Sequence, residues 1–198
     1  MCEYCGCQQI ASIGELTREH DAVVAEIAEV RGFLRDHDLE GAVKTSRRIA
    51  EILGPHTAVE EGGLFPLMSA EFPDHIEALE REHRVIEAVL AEAAEDTPSD
   101  PSWPDRFLTA LDTLRDHILK EQDGVFPASL SVVDADGWEQ VEAVRARAAS
   151  AISVGATAHG HQDHPHEHDQ HDPHQHEHGQ HGQHGHRHDP HHQQEDHA

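Results

Sequence analysis

Aromatic residues and lysines are scarce in this chain, and both shortages limit what it can be. Only 4% of its 198 residues are aromatic and 36% are hydrophobic, which is low for a chain packed along its whole length. Lys44 and Lys120 are the only lysines, and 14 basic residues against 39 acidic ones give a formal net charge of −25. This charge disfavours nucleic acid and anionic membrane surfaces as partners.

Sequence signals of several other protein classes are missing as well. No apolar run approaches the roughly eighteen residues needed to span a bilayer, and the start, MCEYCGCQQ, does not resemble a signal peptide. No nucleophile elbow, phosphate loop or dinucleotide fingerprint appears, so the sequence does not support a hydrolase, kinase or dehydrogenase. Strand-like alternation is nearly absent. We therefore expect an all-α protein.

The three cysteines all lie in an N-terminal segment, residues 1–9. Cys2, Cys5 and Cys7 form a CxxCxC motif, and an odd, clustered set is not a disulfide framework, so we expect a cytoplasmic protein. Zinc or an iron–sulfur cluster would require a fourth ligand, from a tail histidine or a second chain. A redox-active CxxC is an equal alternative, and three free thiols are a third.

The other end of the chain, residues 156–198, is rich in histidine. From His159 onward it holds sixteen His, eight Asp or Glu, one Arg and no apolar residue larger than Ala. Such a segment has nothing to bury, so we expect it to be disordered. Its His-x-His and His-xx-His spacings favour divalent nickel, zinc, copper or cobalt. We interpret it as a metal reservoir or delivery arm, with a passive solubilising tail as the alternative.

Residues 10–155 carry helix-period apolar patterns and should hold the folded domain. Four long amphipathic helices and a shorter fifth one, about 136–152, predict an antiparallel up-down four-helix bundle. Asp38 should cap the second helix, and Gly54-Pro55 should bend it. Phe65-Pro66 and Phe126-Pro127 are interpreted as helix-end packing and stop signals.

Histidines and glutamates repeat within this pattern on the sides that should face the core. His56-xxx-Glu60 recurs 61 residues later as His117-xxx-Glu121, and Glu19-His20 recurs 63 residues later as Glu82-His83. An internal duplication of a helix pair explains both spacings. Counted from the predicted turns at a rise of about 1.5 Å per residue, the four histidines converge on one layer. The two glutamates lie one turn further along the same faces.

A buried layer of four imidazoles and two carboxylates requires compensation. Each unpaired polar group costs several kcal/mol, and six of them would exceed the stability of an ordinary domain. One such histidine is usually a satisfied core residue, and one HxxxE is usually a helical polar pair, but the duplicated set favours metal ions. We predict a dinuclear metal site formed by His20, His56, Glu60, His83, His117 and Glu121.

The order of these motifs resembles the hemerythrin family, and more closely its HHE cation-binding branch with an H-HxxxE-H-HxxxE signature. The resemblance covers residues from about 10 to 130. Ferritin-like di-iron bundles use a different motif, Glu-xx-His, which is missing from the ligand layer here. It implies two non-haem iron ions, with zinc or manganese as alternatives, bridged by Glu60 and Glu121 and held terminally by the four histidines. It also implies that the site meets dioxygen or a related small molecule.

One departure from the oxygen-carrying hemerythrins concerns the third helix. Those proteins have an HxxxH there, whereas here the residues four positions before and after His83 are Leu79 and Glu87. They also have a final HxxxxD, whereas the last motif here is HxxxE. A more open, oxygen-rich site favours sensing of iron, oxygen or nitric oxide, or peroxide chemistry, over reversible oxygen carriage. Glu61 or Glu87 could add a ligand. The alternatives are a metal-buffering or metallochaperone protein that uses site and tail, and a purely structural bundle.

Overall fold

The computed structural model describes residues 6–158, and this part of the chain consists of helices joined by short turns and loops, with no strand in it. The expectations for Cys2, Cys5 and the histidine-rich tail fall outside these residues. A 3₁₀ turn, Cys7–Gln9, precedes the first helix, and two π-helical segments span Glu60–Leu64 and Glu121–Val125. The α-helices are α1 (Ala11–Arg35), α2 (Leu39–Val59), α3 (Phe65–Met68), α4 (Pro73–Ala91), α5 (Trp103–Lys120), α6 (Phe126–Val132) and α7 (Ala135–Ala158).

The first two helices begin and pack as their sequence predicts. The apolar stripe of α1 is buried, with Leu16, Val23 and Val30 fully inaccessible to solvent. The Asp38 side chain accepts the Gly41 N–H at 2.9 Å, which confirms the predicted cap of α2. Pro55 lies inside α2 without ending it, because the helix continues to Val59.

The two Phe-Pro pairs do not stop their helices, so that interpretation is wrong. At both pairs the helix passes through a π-helical segment and continues as α3 or α6, with the proline in the first turn. Each proline lies directly after a π-helical segment, where the i to i+4 hydrogen-bond ladder is already interrupted. Packing at these positions is confirmed, since Phe65 and Phe126 are at most 1% exposed.

The fifth long helix, α7, is longer than predicted and covers one side of the molecule. It contacts α1, α2 and the first π-helical segment. Val141 is fully buried there, and a Cβ added to Gly63 would lie 3.3 Å from the Val141 Cα. The glycine therefore allows a close approach between α7 and the π-helical segment.

The core consists of two apolar clusters, one on each side of the histidine layer along the helices. Helices α1, α2, α4 and α5 surround this core, since α1 contacts α2 and α5, and α4 contacts α2 and α5. The cluster toward the 36–38 turn and the 92–102 loop, called here the turn-side core, includes Val23, Ile27, Val30, Ile49, Leu53, Ile86, Leu90, Trp103, Phe107, Leu111 and Leu114. The other, called the π-side core, includes Ile13, Leu16, Val59, Leu64, Phe65, Met68, Ile76, Leu79, Val125, Phe126 and Val141. Within residues 6–158 no helix is long and apolar enough to cross a membrane.

Candidate metal centre

The structure brings all six predicted site residues together between the two apolar clusters. Each of their side chains is at most 4% exposed. They form two groups whose potential ligand atoms lie within 4.8 Å of one another, and Glu60 and Glu121 belong to both groups. One group adds His20 and His56, and the other adds His83 and His117.

Each glutamate places one oxygen toward each group. The Glu121 oxygens lie 3.1 Å from His20 Nε2 and 3.0 Å from His117 Nε2. The Glu60 oxygens lie 3.3 Å from His56 Nε2 and 3.4 Å from His83 Nε2. This is the disposition required of two carboxylates that bridge a pair of cations.

Most of these buried atoms have no hydrogen-bond partner among the described residues. The set comprises Nε2 of His20, His56 and His117 and all four carboxylate oxygens of Glu60 and Glu121. Buried polar atoms are normally paired, and leaving them unpaired is costly. Two metal ions between the imidazoles and carboxylates would satisfy all of them, so this donor set fits a dinuclear metal site.

The π-helical segments place a glutamate and a phenylalanine on the same side of the chain. Each segment begins at a site glutamate, and the Phe65 and Phe126 N–H groups donate to the Glu60 and Glu121 carbonyls. Five residues along an α-helix point about 140° apart, whereas the i to i+5 register brings them closer together. Phe65 stacks on His83 at 5.8 Å between ring centroids, and Phe126 stacks on His20 at 5.7 Å.

These stacking contacts were not predicted from the sequence. The signal for them is the repeated phenylalanine five residues after each site glutamate, which was interpreted only as helix-end packing. The contacts cross between the halves of the duplication, since Phe65 follows Glu60 but covers His83. Each ring therefore excludes water from the imidazole of the other half.

Three of the four histidines also hydrogen-bond a carboxylate through Nδ1. Glu19 contacts His56 at 2.8 Å, Glu82 contacts His117 at 3.0 Å, and Glu61 contacts His83 at 2.9 Å. For His20 the neighbour is the Gln122 amide, whose Nε2 lies 3.4 Å from Nδ1. Such contacts fix ring orientation and leave Nε2 free for a metal.

The open question of extra ligands is partly answered by these contacts. Glu61 lies against the Nδ1 edge of His83, away from the Nε2 atom that faces Glu60. It is therefore placed to orient the imidazole. Glu87 is exposed and lines a small cavity beside the four histidines.

Two of the outer carboxylates are themselves held by cations. Arg145, on α7, donates from Nη1 to Glu19 Oε1 at 2.8 Å. Lys120, on α5, donates to Glu82. Glu19 and Glu82 each precede a site histidine in the sequence, so the doublet Glu-His is the signal that identifies both.

The carboxylates raise the pKa of three site histidines, His56, His83 and His117. Burial lowers the pKa of His56, but the charge of Glu60 and the hydrogen bond with Glu19 outweigh it and raise that pKa to about 10. Burial likewise lowers the pKa of His83, but the close contact with Glu60 and its charge outweigh burial and raise that pKa to about 9. Burial by itself raises the pKa of Glu60, yet the neighbouring imidazoles hold it well below its usual range. Protons and metal ions therefore compete for the same nitrogens.

A cavity of about 10 Å³ adjoins this layer on the turn side. All four site histidines line it, together with Leu53, Thr57, Ile86, Glu87 and Leu114. A space of this size admits about one water-sized molecule.

Comparison with protein families gives one match, a family model described as hemerythrin HHE cation binding domain, over residues 11–129. The matched range extends from α1 into α6 and contains all six site residues. No curated protein and no solved structure matches the chain significantly. The family match and the buried histidine–glutamate groups together indicate a metal-binding domain.

Proposed function

Since the chain belongs to the hemerythrin HHE cation-binding domain family, we propose that it binds two non-haem iron ions in its histidine–glutamate layer. His20 and His56 hold one ion, His83 and His117 hold the other, and Glu60 and Glu121 bridge them. The supporting observation is that two four-residue groups share both glutamates, whose four oxygens are buried without a hydrogen-bond partner. Zinc and manganese are the alternative metals.

This proposal includes a particular arrangement of the domain. Helices α1, α2, α4 and α5 run up, down, up and down, with the folded domain spanning residues 10–155. Such a bundle brings two HxxxE segments to one height from opposite sides. It also places the duplicated helix pairs around a pseudo-two-fold axis through the metal layer.

The iron pair would serve to sense or react with dioxygen, nitric oxide or peroxide, or to report iron supply. Bound iron would supply redox chemistry and an open coordination position. Neither residue four positions from His83, Leu79 or Glu87, is the second histidine of the oxygen carriers' HxxxH, and a cavity of about 10 Å³, the size of about one water molecule, adjoins the imidazoles. The protein's own contribution is to orient the imidazoles through Nδ1 and to exclude water with Phe65 and Phe126.

The decisive test is the metal content and visible spectrum of the full-length protein purified from its natural host. We expect two irons per chain and the absorption of an oxo-bridged ferric pair, altered by oxygen, nitric oxide or peroxide. His83→Ala should remove one iron or both. His75→Ala is the matched control, because His75 is exposed near the start of α4, about two turns from His83. Native protein without iron would rule the proposal out.

The histidine-rich tail favours a second candidate, a metal-buffering or metallochaperone protein that uses both bundle and tail. Sixteen histidines follow residue 158, and they would bind nickel, zinc, copper or cobalt with little geometric demand. Metal content should be compared between the full chain and a chain ended after residue 155. If two ions remain, the bundle holds them; if nearly all metal is lost, the tail is the main site.

A further inference from the structure

The two halves of the histidine layer match in every contact of the rings except one. The paired rings lie 4.6 Å apart for His20 and His56 and 4.4 Å apart for His83 and His117. Each half has one stacked phenylalanine and one histidine bonded to a glutamate that precedes another site histidine. The two halves therefore offer nearly the same ligand atoms to two cations.

The exception lies one residue after each bridging glutamate. Glu61 follows Glu60 and bonds His83 Nδ1 at 2.9 Å, whereas Gln122 follows Glu121 and lies 3.4 Å from His20 Nδ1. The carboxylate is 36% exposed, while Gln122 is buried at 8% exposure. A short, charge-assisted contact on one side thus corresponds to a longer contact with a neutral amide on the other.

More carboxylates contact the rings in one half than in the other. Glu61 and Glu82 bond to His83 and His117, whereas in the other half only Glu19 bonds to a ring, that of His56. Among the cations behind them, Arg145 contacts both Glu15 and Glu19, and Lys120 contacts Glu82. The imidazoles of the His83–His117 half therefore have one more carboxylate partner.

We propose that Glu61 and Gln122 make the two metal positions unequal, so that the His83–His117 position binds its cation first and more tightly. This inference rests on the proposed metal-binding function. An imidazole that donates Nδ1–H to a carboxylate is a stronger ligand through Nε2 than one that donates to a neutral group. Glu61 and Gln122 are positioning residues here, because neither offers an atom to the cations.

The amide has a further consequence for His20. When Nε2 of His20 binds a cation, Nδ1 carries the proton and requires an acceptor. The Gln122 amide must then present Oε1 in place of the Nε2 that now faces the ring. Filling the second position therefore includes a reorientation of this amide, whereas Glu61 accepts from His83 without any change.

The test is a titration of metal-free full-length protein with cobalt(II) under competition with a chelator. The order of filling is followed by the paramagnetic shifts of the histidine ring protons. We expect the first equivalent to shift signals of His83 and His117. We also expect the second equivalent to bind His20 and His56 about tenfold or more weakly. Signals of tail histidines are distinguished by comparison with the variants below, since only the site signals are expected to change with those substitutions.

Two matched substitutions and their combination identify the cause. Glu61→Gln should weaken the tighter position by about 10- to 100-fold, and Gln122→Glu should strengthen the weaker one. The double variant, with the two side chains exchanged, keeps the net charge and should reverse the order of filling. Thermal unfolding of each metal-free variant controls for folding, since all three changes are nearly isosteric.

The outcomes separate this inference from the proposed function. Equal filling of both positions, first filling at His20 and His56, or an unchanged order in the double variant would overturn the inequality while leaving a dinuclear site. No cobalt shift at any of the four site histidines would overturn the metal-binding proposal itself, and the inequality with it.

Discussion

The two ends of the bundle differ in how regular their helices are and how densely they pack, and the histidine layer lies between them. The turn-side core is built from uninterrupted α-helices and contains Trp103 and Phe107, both fully buried and stacked 4.7 Å apart. Even the Trp103 Nε1 group is satisfied, since it donates to the Val89 carbonyl at 3.2 Å. This end has the dense packing from which a domain gains most of its stability.

The π-side core is less regular. Both helices that supply the site glutamates change there to π-helical and short α-helical segments, and α7 covers one of them. A cavity of about 330 Å³ lies at this end, lined by residues that include Met68, Phe72, Ile76, Leu79 and Val125. Helix distortions of this kind recur at functional sites. The comparison indicates that the turn side packs regularly, whereas the helix distortions begin at the two site glutamates, Glu60 and Glu121.

The largest effect should come from truncating the turn-side core. Trp103→Ala should lower the free energy of unfolding by about 3–5 kcal/mol, because it leaves a large cavity in a packed region. The same substitution should leave the number of bound metals unchanged. Urea unfolding and metal analysis would measure the two quantities.

A control at this end is Val85→Ala, since Val85 is 55% exposed and should change stability by no more than about 0.5 kcal/mol. If Trp103→Ala lowered the metal content of folded protein, the two ends would not be separable in the way described.

The next effect concerns the shared carboxylates. Glu60→Gln should reduce metal content from two ions to fewer than one, because a single side chain serves both groups. The metal-dependent stabilisation should disappear with it, about 4 kcal/mol at a thousandfold excess of metal over its dissociation constant. Glu61→Gln is the neighbouring control, which should retain two ions at reduced affinity. A Glu60→Gln protein that still held two ions would contradict the bridging role.

A third prediction follows from the competition between protons and metal. The folded pKa of His56 is about 10, above its ordinary value of 6.5. Its protonated form therefore stabilises the metal-free protein fully below pH 6.5, and this stability is lost as the pH rises toward 10. Glu60, whose pKa lies below its ordinary 4.5, contributes stability above that pH, and this is lost under more acidic conditions.

Metal-free protein should consequently melt at a lower temperature at pH 9 than at pH 6. Added metal should raise the melting temperature more at pH 9, because fewer protons must leave the site. Scanning calorimetry at both values, with and without metal, would check the two trends. A melting temperature that rises with pH in metal-free protein would refute the assignment of protonated histidines.

The sequence predicted which six side chains meet in the core better than it predicted the helix geometry around them. The spacing of His56 and Glu60, and its duplicate, gave four of these residues, since side chains four residues apart share a helix face. The repeated Glu-His doublet on the apolar stripes gave the other two, His20 and His83. The capping role of Asp38 could also be read from a short pattern. The π-helical segments could not, because an i to i+5 register has no distinct apolar period. The Nδ1 contacts escaped prediction because they depend on the rotation of each helix about its axis.

The smallest effect distinguishes the two π-helical segments from each other. Gly63 and Gly124 both stand three residues after a site glutamate, yet an added Cβ would lie 3.3 Å from the Val141 Cα at the first and near no other atom at the second. Gly63→Ala should therefore destabilise by about 1 kcal/mol, since it pushes on the α7 backbone. Gly124→Ala should be neutral or stabilise by about 0.4–1 kcal/mol, because alanine has less entropy to lose on folding. Urea unfolding of the two variants measures this difference, and equal effects would mean that α7 does not distinguish the segments.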